Sequence, residues 1–392
     1  MKIGIYANHG VKVSDNGFYL SALNAKYLLD FRTKSSHLIL LSSTSDCVIS
    51  KDDVFISYDD VSLIHLPAFN NYIEAIKYFL NISKGILKLI SQSDFIYART
   101  PEPFSWILGV LKKKHQVINY HFVSNPLQVI DADKKNNKIK WLFKRVLFMP
   151  EFYMICIASA LNKSTANGPS VICNIPFFLK NRIKVVIENT YTKEDFSKKK
   201  PVQRTECSLN EINFLCVSRF QAGKGLENLI NAFSVVEKKQ DNIKMTIVGD
   251  GPLFSEIKSL IESKKLADKI ALTGFICNGK ELDDVYKKHN VFVNPSISET
   301  GPRTILEAMS ENLYCISTDV GYVKYILTKD NKLYGMLCKP NSILELADAM
   351  ASVCIDNDRI DIINCSNNGY NMSKVYTLDG FIDSILGRKY EK

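Results

Sequence analysis

Two glutamates near position 300 lie on either side of a segment that could bind an anion. Glu299 follows a short apolar stretch, Glu307 comes eight residues later, and Pro302 between them is expected at the first position of a helix. The first amides of a helix have no intrahelical acceptor and favour negative charge, so the amides of Arg303 and Thr304 could bind a phosphate group. The alternative is that Glu299 and Glu307 are ordinary surface side chains.

Two cations follow another apolar stretch. Residues 213–217 are predicted to form a buried strand, and Arg219 and Lys224 lie between this strand and the next helix. The carboxyl ends of parallel strands meet at one edge of a sheet, where ligands bind. We therefore expect both cations to lie near Glu299, where they could hold a diphosphate, although lysine and arginine in loops are often only solvated.

These residues belong to a longer series of motifs. The series comprises Ser218-Arg219 with Lys224-Gly225, Val248-Gly-Asp-Gly-Pro252, Thr273-Gly-Phe275, Glu299 with Glu307-Ala-Met309, and Asp319-Val-Gly321. In order and separation it resembles the donor-binding domain of retaining GT-B glycosyltransferases of family GT4. The resemblance is strongest over residues 213–327 and weaker over the rest of the chain.

The resemblance implies a role for each of these residues. Glu299 would lie near the transferred sugar and Glu307 would bind the ribose hydroxyls of a nucleoside-diphosphate sugar, while Arg219 and Lys224 would bind the leaving diphosphate. The family has Glu-Gly-Phe-Gly where this chain has Glu299-Thr-Gly-Pro302, and a proline has no amide to donate. Other donor contacts are expected from Ser218, Thr300, Gly301, Arg303, Thr304, Phe275 and Ile276.

Two motifs suggest other chemistry. Gly249-Asp-Gly251 begins like a dinucleotide-binding turn, but Phe254 replaces the third glycine and the nearest acid, Asp268, precedes the next strand. Asp131-Ala-Asp133 has the form of a metal–nucleotide site in the other glycosyltransferase fold, yet it lies in a lysine-rich loop. We therefore favour a reaction that requires no metal and no cofactor, with the sugar nucleotide as co-substrate.

The resemblance is weaker in the first half of the chain. Gly17 is the candidate for the glycine turn that approaches the donor in the family. A strand predicted at 116–120 would place His121 at its end, where it resembles the active-site histidine of the family, although a histidine at a strand end is more often structural. Residues 188–196 resemble the segment that closes the family's first domain.

A lysine-rich segment in the same half has the pattern of an amphipathic helix. It places Ile139, Leu142, Phe143 and Val146 on one stripe, with lysines away from it. This pattern is typical of a helix on an anionic membrane surface, and also of a core helix with a solvated basic face. The residues expected on the membrane and acceptor side are Lys138, Lys140, Trp141, Lys144 and Arg145.

Strands that alternate with helices must position all these residues. Short runs rich in Ile and Val alternate with longer helical patterns, which predicts α/β domains with doubly wound parallel sheets, and a polar break near Lys198 separates two such halves. We predict a GT-B architecture with two Rossmann-like domains facing each other across a cleft. They are an acceptor-binding domain at 1–198, a sugar-nucleotide-binding domain at 199–375, and a C-terminal helix at 376–392 that returns to the first domain.

Length and composition limit the classes of protein to which the chain can belong. The chain has 392 residues, of which 46% are hydrophobic and 23% charged, which excludes a single small module and intrinsic disorder. The formal net charge of +9 suits an acidic partner, but no motif supports nucleic acid. The scattered cysteines indicate reduced thiols, the N-terminus lacks a signal-peptide core and no apolar stretch reaches about 18 residues, so we expect a cytoplasmic protein.

The resemblance therefore implies a retaining hexosyltransferase that requires no metal. UDP is the favoured nucleotide and GDP the second choice. The expected acceptor is a saccharide on a lipid pyrophosphate at the inner face of the plasma membrane, as in bacterial O-antigen or capsule assembly. Two alternatives stay open, namely a GT-B enzyme with a soluble small-molecule acceptor and a catalytically silent subunit that binds a sugar nucleotide.

Overall fold

Two parallel sheets organise the chain. The computed structural model describes residues 1–388 except 46, 51, 125–126, 128–129, 131–137, 174, 330–331 and 356–358. One unit comprises Met1–Ile187 together with residues 379–388, and the other comprises Glu188–Leu378.

The first unit contains ten strands and six helices among its described residues before position 188. The strands are β1 (Lys2–Tyr6), β2 (Lys12–Ser14), β3 (Gly17–Ser21), β4 (His37–Ser43), β5 (Asp53–Ser57), β6 (Val61–Leu66), β7 (Phe95–Thr100), β8 (Val117–Phe122), β9 (Lys163–Asn167) and β10 (Lys184–Val186). The helices are α1 (Ala22–Thr33), α2 (Tyr72–Lys77), α3 (Phe79–Gln92), α4 (Trp106–Leu111), α5 (Lys138–Ala160) and α6 (Phe177–Lys180).

Most of these strands form one sheet. Its order is β10-β9-β8-β7-β1-β4-β6, and neighbouring strands pair in parallel. The chain places β4 and β6 on one side of β1 and β7 to β10 on the other, so the order reverses at β1. The strands β2, β3 and β5 form a small antiparallel sheet that the sequence pattern did not predict.

The second unit repeats this architecture. Its strands are β11 (Ile212–Val217), β12 (Ile243–Val248), β13 (Ile270–Gly274), β14 (Val291–Asn294), β15 (Tyr314–Thr318), β16 (Thr328–Lys329), β17 (Lys332–Leu333) and β18 (Met336–Cys338). Its helices are α7 (Lys193–Lys198), α8 (Leu226–Glu237), α9 (Phe254–Ser263), α10 (Lys280–Lys288), α11 (Arg303–Ser310), α12 (Val323–Leu327), α13 (Ile343–Ser352) and α14 (Arg359–Ser373), and α15 (Leu378–Leu386) follows.

The sheet of the second unit has the order β13-β12-β11-β14-β15-β18, with parallel pairing. Its inner strands β11, β14 and β15 are largely buried, as expected where helices cover both faces of a parallel sheet. Helix α8 buries Leu229, Ile230, Phe233 and Val236 on one face, as the helical spacing of these residues predicted. The predicted α/β class with two Rossmann-like sheets is confirmed.

The two units divide earlier than the composition break. Residues 188–198, which we assigned to the first domain, pack with the second unit. Asn189 Nδ2 donates a hydrogen bond to the carbonyl of Tyr376 at 2.5 Å, and Thr190 Oγ1 donates to Glu307 at 2.8 Å. A polar, lysine-rich composition marks an exposed surface, so it does not locate the division between two cores.

The C-terminal helix α15 packs on the first unit from Asp379 onward. Asn119 Nδ2 donates to the carbonyl of Ile385 at 3.0 Å. The ring of Phe381 lies 5.2 Å from that of His121 and 6.1 Å from that of Tyr27. This helix therefore closes one side of the first sheet.

The lysine-rich segment forms α5, which continues through Pro150. Its predicted apolar stripe is exposed: Ile139, Leu142, Phe143 and Val146 keep 84%, 53%, 62% and 63% of their surface accessible. These residues do not pack in a core, so the core-helix interpretation fails for this stripe. Over the described part of the chain, every helix is too short or too polar to span a membrane.

Candidate functional site

The second unit brings the predicted donor-binding residues to one edge of its sheet. Strand order reverses between β11 and β14, and ligands of open parallel sheets bind outside the carboxyl ends of the strands at such a point. The loop that follows β11 carries Ser218, Arg219 and Lys224, and the loop that follows β14 carries Glu299, Thr300 and Gly301.

Lys224 and Glu299 form an ion pair at this point. Their side chains are mostly buried, with 13% and 21% of their surface exposed. The next residue, Gly225, has φ 67°, and a Cβ there would overlap the carbonyl oxygen of Pro295, so only glycine allows the two loops to approach this closely. The prediction that Lys224 lies near Glu299 is confirmed.

Gly301 fixes the other end of the Glu299 loop. A Cβ on Gly301 would overlap the ring of Tyr322, which is buried in the loop after β15. The carbonyl of Thr300 lies directly against Gly321 in the same loop. Contacts within the protein therefore hold the backbone between Glu299 and the start of α11.

Helix α11 begins one residue later than the sequence predicted. Pro302 has φ −75° and ψ 104° and caps the helix, so Arg303 is the first helical residue. The amides of Arg303 and Thr304 occupy positions that have no intrahelical acceptor. The Arg303 guanidinium also lies 3.8 Å from the carboxylate of Glu188. The positive end of the α11 dipole therefore adjoins the loop that carries Glu299.

Glu307 is buried and its carboxylate is held by three donors. Its Oε1 accepts from Thr190 Oγ1 at 2.8 Å and from Asn278 Nδ2 at 3.3 Å, and its Oε2 accepts from the Tyr286 hydroxyl at 3.0 Å. Burial, and after it the charge of Glu307, raises the pKa of Tyr286 well above its usual value, so the phenol stays protonated and donates. Glu307 is therefore not an ordinary surface residue.

The partners of Glu307 were missed in the sequence. Thr190 lies 117 positions before it, and Asn278 and Tyr286 lie 29 and 21 positions before it. The segment around Thr190 resembles part of the family, but we interpreted it only as the end of the first domain. Asn278 and Tyr286 carry no motif, so no local signal could identify them.

The remaining predicted donor contacts lie at the same edge of the sheet. Arg219 is exposed and forms no ion pair with any residue that the structure describes. Ser218 is half-buried, and its amide donates to the carbonyl of Val248 at 3.0 Å. Phe275 follows β13 with 64% of its surface exposed, and Ile276 beside it is half-buried. Their contacts with a donor stay a prediction.

The family comparison agrees with this site. Residues 197–372 match the model of the family described as glycosyl transferases group 1. The matched range lies within the second unit and covers less than half of the chain. The matched range includes Lys224, Glu299 and Glu307, but Thr190 precedes it.

Curated relatives match about half of the chain. The chain is 26% identical over 193 residues to the phosphatidylinositol N-acetylglucosaminyltransferase GPI3 subunit of Saccharomyces cerevisiae. This match covers 49% of the chain and 42% of the relative, so the chain spans less than half the length of the relative that it matches.

Solved structures resemble the chain beyond the matched range. Sucrose-phosphate synthase from Thermosynechococcus elongatus has a TM-score of 0.72 at 15% identity, covering 99% of this chain and 98% of that one. Anabaena Alr3699/HepE in complex with UDP has a TM-score of 0.68 at 14% identity and covers 99% of both. At these identities the likeness shows the fold alone, and the chain has the predicted GT-B fold.

Outside the matched range, Gly17 does not form the predicted turn. It lies buried in β3, and a Cβ on it would overlap the carbonyl oxygen of Ile56 in β5. The prediction was wrong because residues 12–21 form a hairpin rather than a turn into a helix. Gly10, with φ 62°, is the glycine that follows β1.

His121 lies inside a strand and not at its end. Strand β8 continues to Phe122, and His121 has no exposed surface. Its Nδ1 lies 2.9 Å from Thr165 Oγ1, and its ring packs against those of Tyr97 and Phe381. The strand-end prediction is wrong because pairing with β7 extends the strand and α15 covers the ring. His121 is enclosed in the first unit, and its contact with a donor sugar stays a prediction.

The residues predicted for the membrane and acceptor side lie on α5. Lys138 is exposed, and Trp141, Lys144 and Arg145 are half-buried. The Arg145 guanidinium lies 5.7 Å from the centre of the Trp141 ring. Lys140 belongs to the helix, but its side chain lies outside the described residues. A positively charged segment therefore flanks the exposed apolar stripe.

Potential metal ligands are scattered in the described structure. The Asp131-Ala-Asp133 motif lies outside the described residues. Among the side chains that are described, no three His, Cys, Asp or Glu groups lie close enough to hold a metal ion. Independence from metal stays a prediction.

Proposed function

We propose that this protein is a retaining, metal-independent glycosyltransferase that moves a hexose-type sugar from a nucleoside-diphosphate sugar, with UDP as the favoured nucleotide. The proposal rests on the Lys224–Glu299 ion pair beside the start of α11. Lys224 and the α11 amides supply positive charge for a diphosphate, and Glu299 supplies a carboxylate for sugar hydroxyls. The match of residues 197–372 to glycosyl transferases group 1 and the UDP complex of the Anabaena neighbour support this assignment.

In the proposed reaction, the bond between the anomeric carbon and the β-phosphate oxygen breaks and leaves its electron pair on the nucleoside diphosphate. Lys224 and Arg219 stabilise the charge that develops there. The acceptor oxygen bonds to the anomeric carbon on the same face, its proton passes to the leaving phosphate, and the configuration is retained. Glu299 holds the sugar, and Glu307 accepts hydrogen bonds from the ribose hydroxyls.

Nucleotide binding tests this proposal directly. We expect UDP to raise the melting temperature more than GDP, ADP or CMP. A ligand at a hundred times its Kd stabilises the folded state by about 2.7 kcal/mol, so a bound nucleotide gives a measurable shift. Thermal denaturation with each nucleotide measures the effect. The Lys224→Ala variant should lose most of the shift, while Lys258→Ala, at an exposed position on α9, should retain it. Absence of a shift with every nucleoside diphosphate contradicts the proposal.

The proposed acceptor is a saccharide on a lipid pyrophosphate at the inner face of a bacterial plasma membrane, in O-antigen or capsule assembly. The exposed stripe of α5 supports a membrane location, since apolar patches of this kind mark interaction sites. The adjacent Lys138, Lys144 and Arg145 complement anionic lipid headgroups. The name of the yeast relative, which includes phosphatidylinositol, agrees with a lipid substrate.

Vesicle binding tests the membrane part. We expect cosedimentation with vesicles that contain phosphatidylglycerol and little with pure phosphatidylcholine. Each basic residue near an anionic surface contributes about 1 kcal/mol, so changing Lys140, Lys144 and Arg145 to Glu should weaken binding by more than about 100-fold. Changing Phe143 and Val146 to Ser should weaken binding through lost apolar burial.

A matched charge reversal controls the vesicle experiment. Lys77, Lys84 and Lys88 are also exposed in the first unit but lie on α2 and α3, so changing them to Glu should leave binding nearly intact. Equal loss in both triple variants would show that only net charge matters. A dimer that forms through α5 in solution, without vesicle binding, would contradict the membrane proposal.

Two outcomes of a transfer assay would favour other functions. Full transfer to a water-soluble glycoside, unaffected by membranes, would favour an enzyme with a soluble acceptor. Nucleotide binding without transfer to any acceptor would favour a silent subunit, a role that the word subunit in the name of the yeast relative brings into consideration.

A further inference from the structure

The Glu307 carboxylate lies where three elements of the second unit meet. Thr190 comes from the segment that precedes α7, Tyr286 from α10, and Glu307 itself from α11. All three residues are buried. The hydrogen bonds that hold the carboxylate therefore keep their geometry only while the three elements stay packed against one another.

Lys199 contacts the same three elements. This lysine directly follows α7, and its ammonium group forms ion pairs with Asp283 of α10, at 3.1 Å, and with Glu311 at the C-terminal end of α11. The ammonium group also lies 3.6 Å from the centre of the Tyr191 ring, within the range of a cation–π contact. Only 10% of the Lys199 side chain is exposed, and the Glu311 side chain has no exposed surface. Water therefore screens these charges little, and they interact strongly.

The two acidic partners of Lys199 lie one helical turn away from the groups that meet at Glu307. Asp283 precedes Tyr286 by three residues on α10, and Glu311 follows Glu307 by four residues at the end of α11. Residues three or four positions apart lie on the same face of a helix. Lys199 therefore holds together the same two helix faces that form the hydrogen bond between Tyr286 and Glu307.

The aromatic partner connects Lys199 to the third element. Tyr191 directly follows Thr190, and its hydroxyl donates a hydrogen bond to Asp283 at 2.6 Å. Burial, and after it the charge of Glu307, raises the pKa of Tyr191 well above its usual value, so the phenol stays protonated and donates. Tyr191 therefore holds the segment that contains Thr190 against α10, and Lys199 contacts the face of its ring.

We infer that Lys199 is a positioning residue for the sugar-nucleotide donor, because it holds α10, α11 and the segment of Thr190 together and so fixes the Glu307 carboxylate in the orientation that accepts hydrogen bonds from the ribose hydroxyls. The inference rests on the proposed function for the identity of the donor. A carboxylate that is already held in place loses little conformational freedom when the ligand binds, so loosening it weakens binding. The ribose lies apart from the bond that breaks, so the effect falls on KM for the donor and leaves kcat nearly unchanged.

Binding of two nucleotides tests this role. The probes are UDP and 2′,3′-dideoxy-UDP, which lacks both ribose hydroxyls, and isothermal titration calorimetry with the whole chain gives the Kd of each. The wild-type protein should bind UDP at least about tenfold more tightly than the dideoxy analogue, because hydrogen bonds to a charged group are strong. In Lys199→Met this preference should fall below about threefold, since Glu307 is no longer held for the hydroxyls. Lys199→Arg, which keeps the charge, should retain more of the preference than Lys199→Met.

Two further variants separate positioning from loss of stability. Lys199→Met leaves the buried Glu311 without its cation, which destabilises the fold. The double variant Lys199→Met with Glu311→Gln has no such unpaired charge, so its melting temperature should recover while the preference for UDP stays lost. Lys198→Met is the matched control, because it changes the neighbouring lysine, which is exposed and pairs with Glu194 at the surface. This control should keep both the wild-type melting temperature and the wild-type preference.

Steady-state kinetics of sugar transfer gives a second measurement of the same role. In Lys199→Met and in the double variant, KM for the sugar nucleotide should rise at least about fivefold, while kcat should stay within about twofold of wild type. A residue that serves stability alone would lower the melting temperature and leave KM for the donor unchanged.

Two results would overturn the inference. One is a wild-type preference for UDP over the dideoxy analogue in both Lys199→Met and the double variant. The other is equal binding of the two nucleotides by the wild-type protein, because Glu307 would then have no contact with the ribose. Failure of the proposed function gives a different result, since in that case the wild-type protein binds no nucleoside diphosphate.

Discussion

Replacement of Lys224 by alanine is expected to lower kcat/KM for sugar transfer by about 10²–10³-fold, which corresponds to about 2.7–4 kcal/mol of transition-state stabilisation. Lys224 is the mostly buried cation at this edge, with 13% of its side chain exposed, whereas Arg219 is exposed and Arg303 lies against Glu188. A charge removed from water interacts more strongly with a developing phosphate charge. The loss is measured by steady-state kinetics of sugar transfer, with the sugar conjugate of the nucleotide that raises the melting temperature most.

The Lys224→Ala variant also leaves Glu299 without its cation, and a further variant separates the two effects. Lys224→Ala with Glu299→Gln should recover the melting temperature but not the transfer rate. Lys224→Arg, which keeps the charge, should recover part of the rate. Lys258→Ala should remain within about twofold of wild type, since surface substitutions seldom matter. Wild-type transfer by Lys224→Ala would show that the site is misplaced.

Replacement of Glu307 by alanine is expected to lower kcat/KM by at least about 100-fold and to lower the melting temperature as well. The carboxylate accepts hydrogen bonds from Thr190, Asn278 and Tyr286. Each buried donor that loses its acceptor costs about 1–3 kcal/mol. The ribose hydroxyls would lose their acceptor through the same change.

Glu307→Gln distinguishes a contact with the donor from a role in stability. The amide oxygen of the glutamine still accepts hydrogen bonds, so most of the decrease in melting temperature seen in Glu307→Ala should be recovered. KM for the sugar nucleotide should stay raised, because the amide nitrogen cannot accept a hydrogen bond. Glu262→Ala, at an exposed position on α9, is the matched control and should change neither quantity. Unchanged transfer by Glu307→Ala would contradict the assigned role.

The alternation of apolar runs and helical patterns was enough to predict both parallel sheets and the edge where Lys224 meets Glu299. The reason is geometric, because parallel strands place all their carboxyl ends at one edge, so residues just after two neighbouring strands must be close. The small antiparallel sheet was not predictable in this way. Its strands β2 and β3 are short, and the turn between them resembled a turn into the helix α1.

Only the folded structure shows which side chains are buried by distant segments of the chain. His121 has a strand pattern around it, but the ring that covers it comes from Phe381, more than two hundred residues later. The apolar stripe of α5 fits a core helix and a surface helix equally well in the sequence. The structure leaves Phe143 exposed because no other described segment covers this face.

The sequence by itself determined the fold class and the motifs that carry Lys224, Glu299 and Glu307, because strand periodicity and motif spacing are local properties of the chain. Only the tertiary structure decided which groups orient Glu307 and that His121 is enclosed. Those properties depend on contacts between segments that are far apart in the sequence. The packing of the folded chain determines these contacts, and the spacing of residues along the chain does not reveal them.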